Sequence, residues 1–451
     1  MASWPRYKYL MSQPQTISEI SPANARGRWM ALLAAFLGWL FDGVEIGLYP
    51  LISKPAIQEL VGGKAVLDAN PSLYESNHVW VVAAFLIGAA CGGALFGWLG
   101  DRYGRVRAMT WSVLSYSIFS GMCGLSQSVD QLVCLRFLSA LGMGGEWSLG
   151  VALVMEVWPS NKRWLLAGII GAAANIGIAI IAFAGLYINE LGAGLRALGL
   201  SESLVAKGTD NGGWRLLMML GALPALLTFF IRLFVPESEK WKHASQNAAP
   251  VRLAEIFGAK HRRMVLLGTA LAAIALLGTW GSVQNLPSIA FDLSNKDPNS
   301  RQYTQIWSAI GSVTGCLVAS GLALFLTRRM SYFFMAVTSL GFCSWLFWAT
   351  PPYGSSFFLL TFMVGLVTAS FYGWLPLYLP ELFPTRLRAT AQGFAFNAGR
   401  IITATVILTF GMKPDWFGSL ASTCAIISLV YIVGMVVIWL CPETKGKPLP
   451  E

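Results

Sequence analysis

The sequence predicts an all-α membrane protein with twelve transmembrane helices in two pseudo-symmetric six-helix halves. Three observations carry that reading. First, hydrophobic residues make up 55% of the chain and charged residues only 12%, with a mean hydropathy of +0.58. A soluble fold of 451 residues has too few charges at that composition to cover its surface. Second, the apolar residues fall in runs of about twenty, enough to cross a hydrocarbon core of roughly 30 Å as helix. Third, the two halves of the chain echo each other.

The expected spans are 29–51, 77–100, 107–127, 131–156, 164–188, 214–235, 264–290, 303–326, 331–350, 355–379, 389–411 and 416–440. Glycine inside them does not argue against helix, because small residues let membrane helices pack closely, as in the Gly168, Gly171, Gly177 stretch. Residues 1–28 are polar and the first apolar run is too long for a leader, so no cleavable signal is expected. The seven cysteines lie within or at the ends of spans and read as packing residues rather than a disulfide framework.

The net charge of +10 reflects topology rather than a nucleic-acid partner. With a cytoplasmic N-terminus, the inside connections carry 21 Lys and Arg and the outside ones 7. That is the positive-inside pattern, with both termini cytoplasmic in the cell membrane. The longest polar interior stretch, 236–263, is the linker between halves 29–235 and 264–440, and 441–451 is a cytoplasmic tail. Glu156, Pro159 and Arg163 recur as Glu381, Pro384 and Arg388, at one offset of 225 residues. Pro236-Glu237-Ser238 and Pro442-Glu443-Thr444 close the two halves. Repeats of this kind place a binding site between them near the midplane.

Gly97-Trp98-Leu99-Gly100-Asp101-Arg102-Tyr103-Gly104-Arg105-Val106-Arg107 is a tight basic connection after the second span. Gly104 permits the turn, and Asp101 can accept from an arginine or a helix N-terminus. This segment resembles the loop between helices 2 and 3 of the major facilitator superfamily. Arg136 to Trp147 is similar to that family's helix 4 motif. The Pro236, Pro380 to Thr390 and Pro442 to Gly446 segments are similar to its sugar-porter and metabolite–proton symporter branches. Asp42-Gly43-Val44-Glu45 resembles the D-G-x-D segment of the aromatic-acid and sialate/monocarboxylate proton symporters, with Glu45 in place of the second Asp. The loop Thr327-Arg328-Arg329-Met330 keeps the basic residues but lacks the acidic one, so the two halves are expected to gate unequally.

Charges at membrane depth are costly and face a cavity or a partner. Asp42 and Glu45 lie three residues apart on one helix face, at a depth comparable to Arg136. They are the candidate proton carriers, with Arg136 tuning them or binding a substrate carboxylate; the bland reading is a static buried ion pair. Glu146 is a second protonation site or a neutral packing residue. Arg400, at mid-span, needs a carboxylate side chain or an anionic substrate. Gln284, Asn285, Asn397, Trp39, Trp147 and Tyr378 are candidate substrate contacts, with interhelical packing as the alternative for each. Gly97, Asp101, Arg102, Gly104, Arg105, Glu156, Arg163, Glu381 and Arg388 are candidate gating residues.

The resemblance implies a monomeric secondary transporter, a proton-coupled symporter of a small organic anion: a monocarboxylate, sialic acid or an aromatic acid. A neutral sugar or polyol carrier is the alternative, and a non-transporting sensor a more distant one. A drug–proton antiporter is disfavoured because the fifth span lacks the Gly-Pro pattern. No catalytic triad, metal cluster or phosphate loop is present, so no enzyme, cofactor or direct use of ATP is expected.

Overall fold

The computed structural model describes residues 22–199, 201–246, 251–297, 299–410 and 417–450. Most of the 1–28 segment, residues 247–250 of the linker, residues 411 and 416 at span ends, and residue 451 of the tail lie outside the described residues. The first half is built from α1 (Pro22–Leu60), α2 (Ser72–Tyr103), α3 (Arg105–Cys123), α4 (Val129–Val157), α5 (Arg163–Leu186), α6 (Trp214–Leu220) and α7 (Ala225–Phe234). The second half has α8 (Arg262–Gly281), α9 (Leu286–Leu293), α10 (Ser300–Phe325), α11 (Arg328–Ala349), α12 (Ser355–Leu382), α13 (Arg388–Phe410), α14 (Leu420–Ser428) and α15 (Val430–Val437).

Among the described residues, nine helical stretches are long and apolar enough to cross a bilayer. Three further helical stretches coincide with expected spans but are more polar or broken. Helix α3 opens with Arg105 and Arg107, and α13 carries Arg388, Gln392, Asn397 and Arg400. The sixth expected span is split into α6 and α7 at Pro224, which has no backbone N–H to continue the ladder. The seventh is broken as well. A 3₁₀ turn, Val283–Asn285, joins α8 to α9, and Pro287 sits in the first turn of α9, where a missing N–H costs nothing. The seven cysteines are free thiols.

The halves meet most extensively where α2 packs on α13 and α5 on α10, with further packing of α5 on α12 and α4 on α13. The repeat seen in the sequence extends to individual atoms. Helix α4 ends, Pro159 follows, and the 3₁₀ turn Ser160–Lys162 leads into Arg163; α12 ends, Pro384 follows, and Thr385–Leu387 leads into Arg388. Arg163 Nε donates to Met155 O (3.1 Å) and Arg388 Nε to Pro380 O (3.3 Å), again 225 residues apart. Arg105 donates to Gly100 O and Arg328 to Ala323 O, both at 2.9 Å.

The Pro-Glu-Ser and Pro-Glu-Thr segments complete this bracket. Glu237 accepts from the backbone N–H of Arg105 and Val106, at the exposed N-terminus of α3. Glu443 accepts in the same way from Arg328 and Arg329 at the start of α11. Ser238 donates to Glu156 (2.6 Å) and Thr444 to Glu381 (2.5 Å). Gly104, at φ 110°, makes room for this seat, because a side chain there would run into the Glu237 carboxylate.

All of these groups gather on one side of the molecule, the basic face. If that face is cytoplasmic, a Cys at exposed Lys260 and one at exposed Lys207 lie on opposite sides of the membrane. In protein with the seven native cysteines replaced, an impermeant maleimide should label Lys207→Cys in intact cells and Lys260→Cys only after the membrane is opened.

Candidate functional site

Helix α4 sets three levels, because Arg136, Glu146 and Glu156 follow one another at ten-residue intervals, about 15 Å each. Glu156 belongs to the basic face and Arg136 to the far side, with Glu146 between them. Asp42, Glu45, Arg136, Glu146 and Arg400 are each at most 2% exposed.

At the far level Glu45 is fully matched. Its carboxylate accepts from the Arg136 guanidinium, from the Ser120 hydroxyl of α3 and from Ser139 Oγ (3.3 Å). The Arg136 guanidinium lies 4.3 Å from the centre of the Phe85 ring. The expected Asp42–Glu45 pairing is therefore not what the helices build, although the two residues are three apart on α1. Ser120 turns Glu45 toward α3 and α4, and Asp42 faces a different set of groups.

At the middle level Asp42 lies within electrostatic reach of Glu146 and Arg400, and Glu146 lies beside Asp42 and Tyr116. Gly38 on α1 makes space for the second acid, since a side chain at that position would overlap the Glu146 carboxylate. Among the described residues, both oxygens of Asp42, both of Glu146, the Tyr116 hydroxyl, and Nε and Nη1 of Arg400 have no hydrogen-bond partner. Two acids and one arginine are thus held in a buried site with unused hydrogen-bonding capacity. Such a set can take up a proton, an anion or both.

Below this trio lies an aromatic floor shared by the halves. Trp147 stacks on Phe396 with ring centres 4.0 Å apart, and Trp39 lies 6.3 Å from Trp147 and 6.4 Å from Phe396. Asn397 does not face a ligand space. Its Nδ2 donates to Gly144 O and Gly393 O, both at 2.9 Å, tying α13 to α4. Gln392 repeats this tie one turn nearer the basic face, donating to Ser148 O (2.6 Å).

Beside the trio, the broken seventh helix opens a small cavity of about 50 Å³ between α5, α8, α9, α10 and α12. Gln284 lines it, whereas Asn285 is turned toward α14, near Cys424. Tyr372 also lines it, and its ring edge meets Phe396 at 6.4 Å. Tyr378, expected in the cavity, is not there. It lies two turns nearer the basic face, and its hydroxyl donates to Pro442 O (2.7 Å).

The basic face is closed. Asp101 accepts from the N–H of Ala389 (3.3 Å) and Thr390 (2.7 Å) and from the Thr390 hydroxyl (2.5 Å), capping α13 from the other half. It also pairs with Arg105 (2.7 Å). Glu156 takes Arg105 and Arg388, each at 3.2 Å. The second half has its own acid despite the loop that lacks one: Arg328 forms a two-pronged pair with Glu381 at 2.9 and 3.0 Å. Inequality between the halves remains in one respect: among the described residues, Asp101 and Glu156 of the first half bond directly to the second half, whereas Glu381 bonds to Arg328 and Thr444 of its own side. Gly97 packs against Ala389 in this seam. Arg102 stands apart, exposed over the Trp98 and Tyr103 rings. Ser120, Tyr116 and Gln305 were missed by the sequence reading, and none carries a charge or a motif to mark it; Thr390 ends a recognised segment but was given no role.

This architecture has known relatives. The profile of the Major Facilitator Superfamily matches residues 67–407. The chain belongs to the major facilitator superfamily. It is therefore a multi-pass membrane transporter and not an enzyme. It is 29% identical to the protein described as "Probable 4-methylmuconolactone transporter" of Cupriavidus pinatubonensis, over 94% of this chain and 92% of that one. It is 28% identical to the cis,cis-muconate transport protein of Acinetobacter baylyi, over 90% and 92%. These relatives lie in the branch of metabolite–proton symporter-like carriers that the first span resembles. The fold matches the proton:xylose symporter XylE of E. coli bound to 6-bromo-6-deoxy-D-glucose, with a TM-score of 0.75 at 19% identity, covering 94% of this chain and 98% of that one.

Two outcomes follow for the matched charges. Arg136→Met strands Glu45, and breaking a buried pair from one side costs about 3–5 kcal/mol. Thermal unfolding in detergent should show a large drop for Arg136→Met and recovery of more than half of it in Arg136→Met/Glu45→Gln. The second outcome concerns Glu443. Burial raises its carboxyl, but the N–H groups of Arg328, Lys445 and Arg329 outweigh burial and hold it below the ordinary range. Its contribution is present above the unfolded-state value and fades as pH falls through the lowered one. The melting difference between wild type and Glu443→Gln should therefore be clear at pH 7 and shrink on acidification.

Proposed function

We propose that this protein is a proton-coupled symporter that imports a small organic anion across the cell membrane by alternating access. The observation that carries the reading is the buried, hydrogen-bond-unpartnered trio of Asp42, Glu146 and Arg400. Asp42 and Glu146 repel when both are ionised, so one of them takes up a proton readily, and Arg400 offers a guanidinium to a carboxylate. Proton and anion then enter together at little net cost, because each offsets the charge that the other leaves. The muconate and methylmuconolactone carriers among the relatives support an acid as substrate. In this reading Glu45 and Arg136 hold α1, α3 and α4 together rather than carry the proton. Trp39 and Trp147 close the floor under the bound anion. The Asp101, Arg105, Glu156 and Arg388 cluster is the cytoplasmic gate, with Glu381, Arg328 and Arg163 bracing the second half. The chain forms twelve spans as a monomer, with both termini in the cytoplasm and halves at 29–235 and 264–440.

A neutral sugar or polyol carrier is the second reading, favoured by the absence of charged side chains from the cavity lining. Proteoliposome uptake separates the two. Labelled lactate, sialic acid, 4-hydroxybenzoate and glucose are offered with and without an inside-alkaline gradient, to wild type, Asp42→Asn and Glu146→Gln. The expected result is gradient-driven accumulation of an acid, lost in Asp42→Asn while exchange without a gradient persists. Uptake of glucose alone, or flux indifferent to both gradient and variant, overturns the symporter reading.

A further inference from the structure

The cavity beside Arg400 differs from what an anion-binding wall should be. Its polar lining is made of hydroxyls and amides, and nearly all their protons are already committed. Thr279 donates to Ala275 O (2.8 Å), Thr304 to Ser300 O (2.7 Å) and Thr368 to Val364 O (2.7 Å), each to its own helix. Ser312 donates to Gly365 O (3.2 Å). The Tyr372 hydroxyl donates to Thr279 Oγ1 (2.9 Å).

The amides are committed in the same sense. Gln305 of α10 donates through Nε2 to Gly47 O (2.8 Å) and Ile178 O (3.4 Å) of the first half. Its Oε1 is buried without a partner, on a residue 5% exposed. Asn175 donates to Gly171 O (3.3 Å) and Cys316 Sγ (3.7 Å), which leaves its Oδ1.

A hydroxyl has one proton and two lone pairs, and an amide oxygen only accepts. With the protons spoken for, the wall presents acceptors. Only Ser308 and Gln284 in the lining keep donors to offer. A carboxylate, which accepts only, is repelled by such a wall; a hydroxyl group, which donates, is matched by it. The donors for a carboxylate lie next door, on Arg400, whose Nε and Nη1 are unused and which is within electrostatic reach of the cavity-lining Tyr372.

We infer that the substrate is a hydroxylated carboxylic acid, bound with its carboxylate on Arg400 and its hydroxyl-bearing body donating into the acceptor-lined cavity. This rests on the anion-carrier reading and narrows it: Arg400 supplies affinity for the acid, and Gln305, Thr304, Ser312 and Thr368 supply the preference for hydroxyls.

The test uses the full-length protein in detergent and follows tryptophan fluorescence during titration with matched pairs of acids. Shikimate is compared with cyclohex-1-ene-1-carboxylate, and galactonate with hexanoate; galactitol has the hydroxyls without the acid. The hydroxylated acid of at least one pair should bind about tenfold more tightly, the worth of one well-made hydrogen bond. Thr368→Val and Gln305→Leu should reduce that preference to threefold or less without weakening the deoxy acid, and Thr368→Ser should keep it. Unchanged binding of the deoxy acid also shows that the variant is folded. Should Thr368→Val fail to fold, Thr304→Val reads the same wall.

Equal binding within both pairs overturns this inference and leaves the anion reading standing. A preference that survives Thr368→Val and Gln305→Leu overturns the assignment to this cavity. Galactitol binding as tightly as galactonate, or no acid binding at all, overturns both readings.

Discussion

Glu156 lies between Arg105 of its own half and Arg388 of the other, fully buried, with Ser238 donating to its second oxygen. A carboxylate in such a place is tolerated only if every lone pair is answered, and that requirement shapes the whole basic face. It explains why a proline and a 3₁₀ turn follow each gating helix: they place Arg163 and Arg388 to brace the helix end behind them. It also explains the polar segments that close each half, Pro236-Glu237-Ser238 and Pro442-Glu443-Thr444. Each supplies a carboxylate to a helix N-terminus and a hydroxyl to the central acid.

Away from that face the chain treats its buried charges in two ways. Glu45 and Arg136 are matched to each other and to two serines, so they fix α1, α3 and α4 and have little left to offer. Asp42, Glu146 and Arg400 are equally buried but unmatched.

The sequence made the scaffold legible because spans and repeats are one-dimensional signals: runs of about twenty apolar residues, and one offset of 225. Depth was legible too, so Arg136 was correctly set level with Glu45. Rotation about the helix axis was not. Which acid meets Arg136 depends on Ser120, an ordinary polar residue of α3. Glu381 was marked by the repeat and by its own segment, but its pairing with Arg328 was not, because the two lie 53 residues apart in the chain. Neighbours such as Gln284 and Asn285 part company on a 3₁₀ turn whose position no periodicity marks. Tyr378 and Asn397 look like cavity residues by depth and type, but Pro442 O and Gly144 O claim them.

Each charge that crosses between the halves on the basic face also has a companion at home. Asp101 keeps Arg105, Glu156 keeps Arg105 and Ser238, and Arg388 keeps Pro380 O. Parting the halves therefore leaves each of these three charges a partner, while the Thr390 hydroxyl and the Gln392 amide give theirs up. Each half therefore carries its own counter-charges to the seam, and what it borrows across the boundary is a second partner for a charge that already has one.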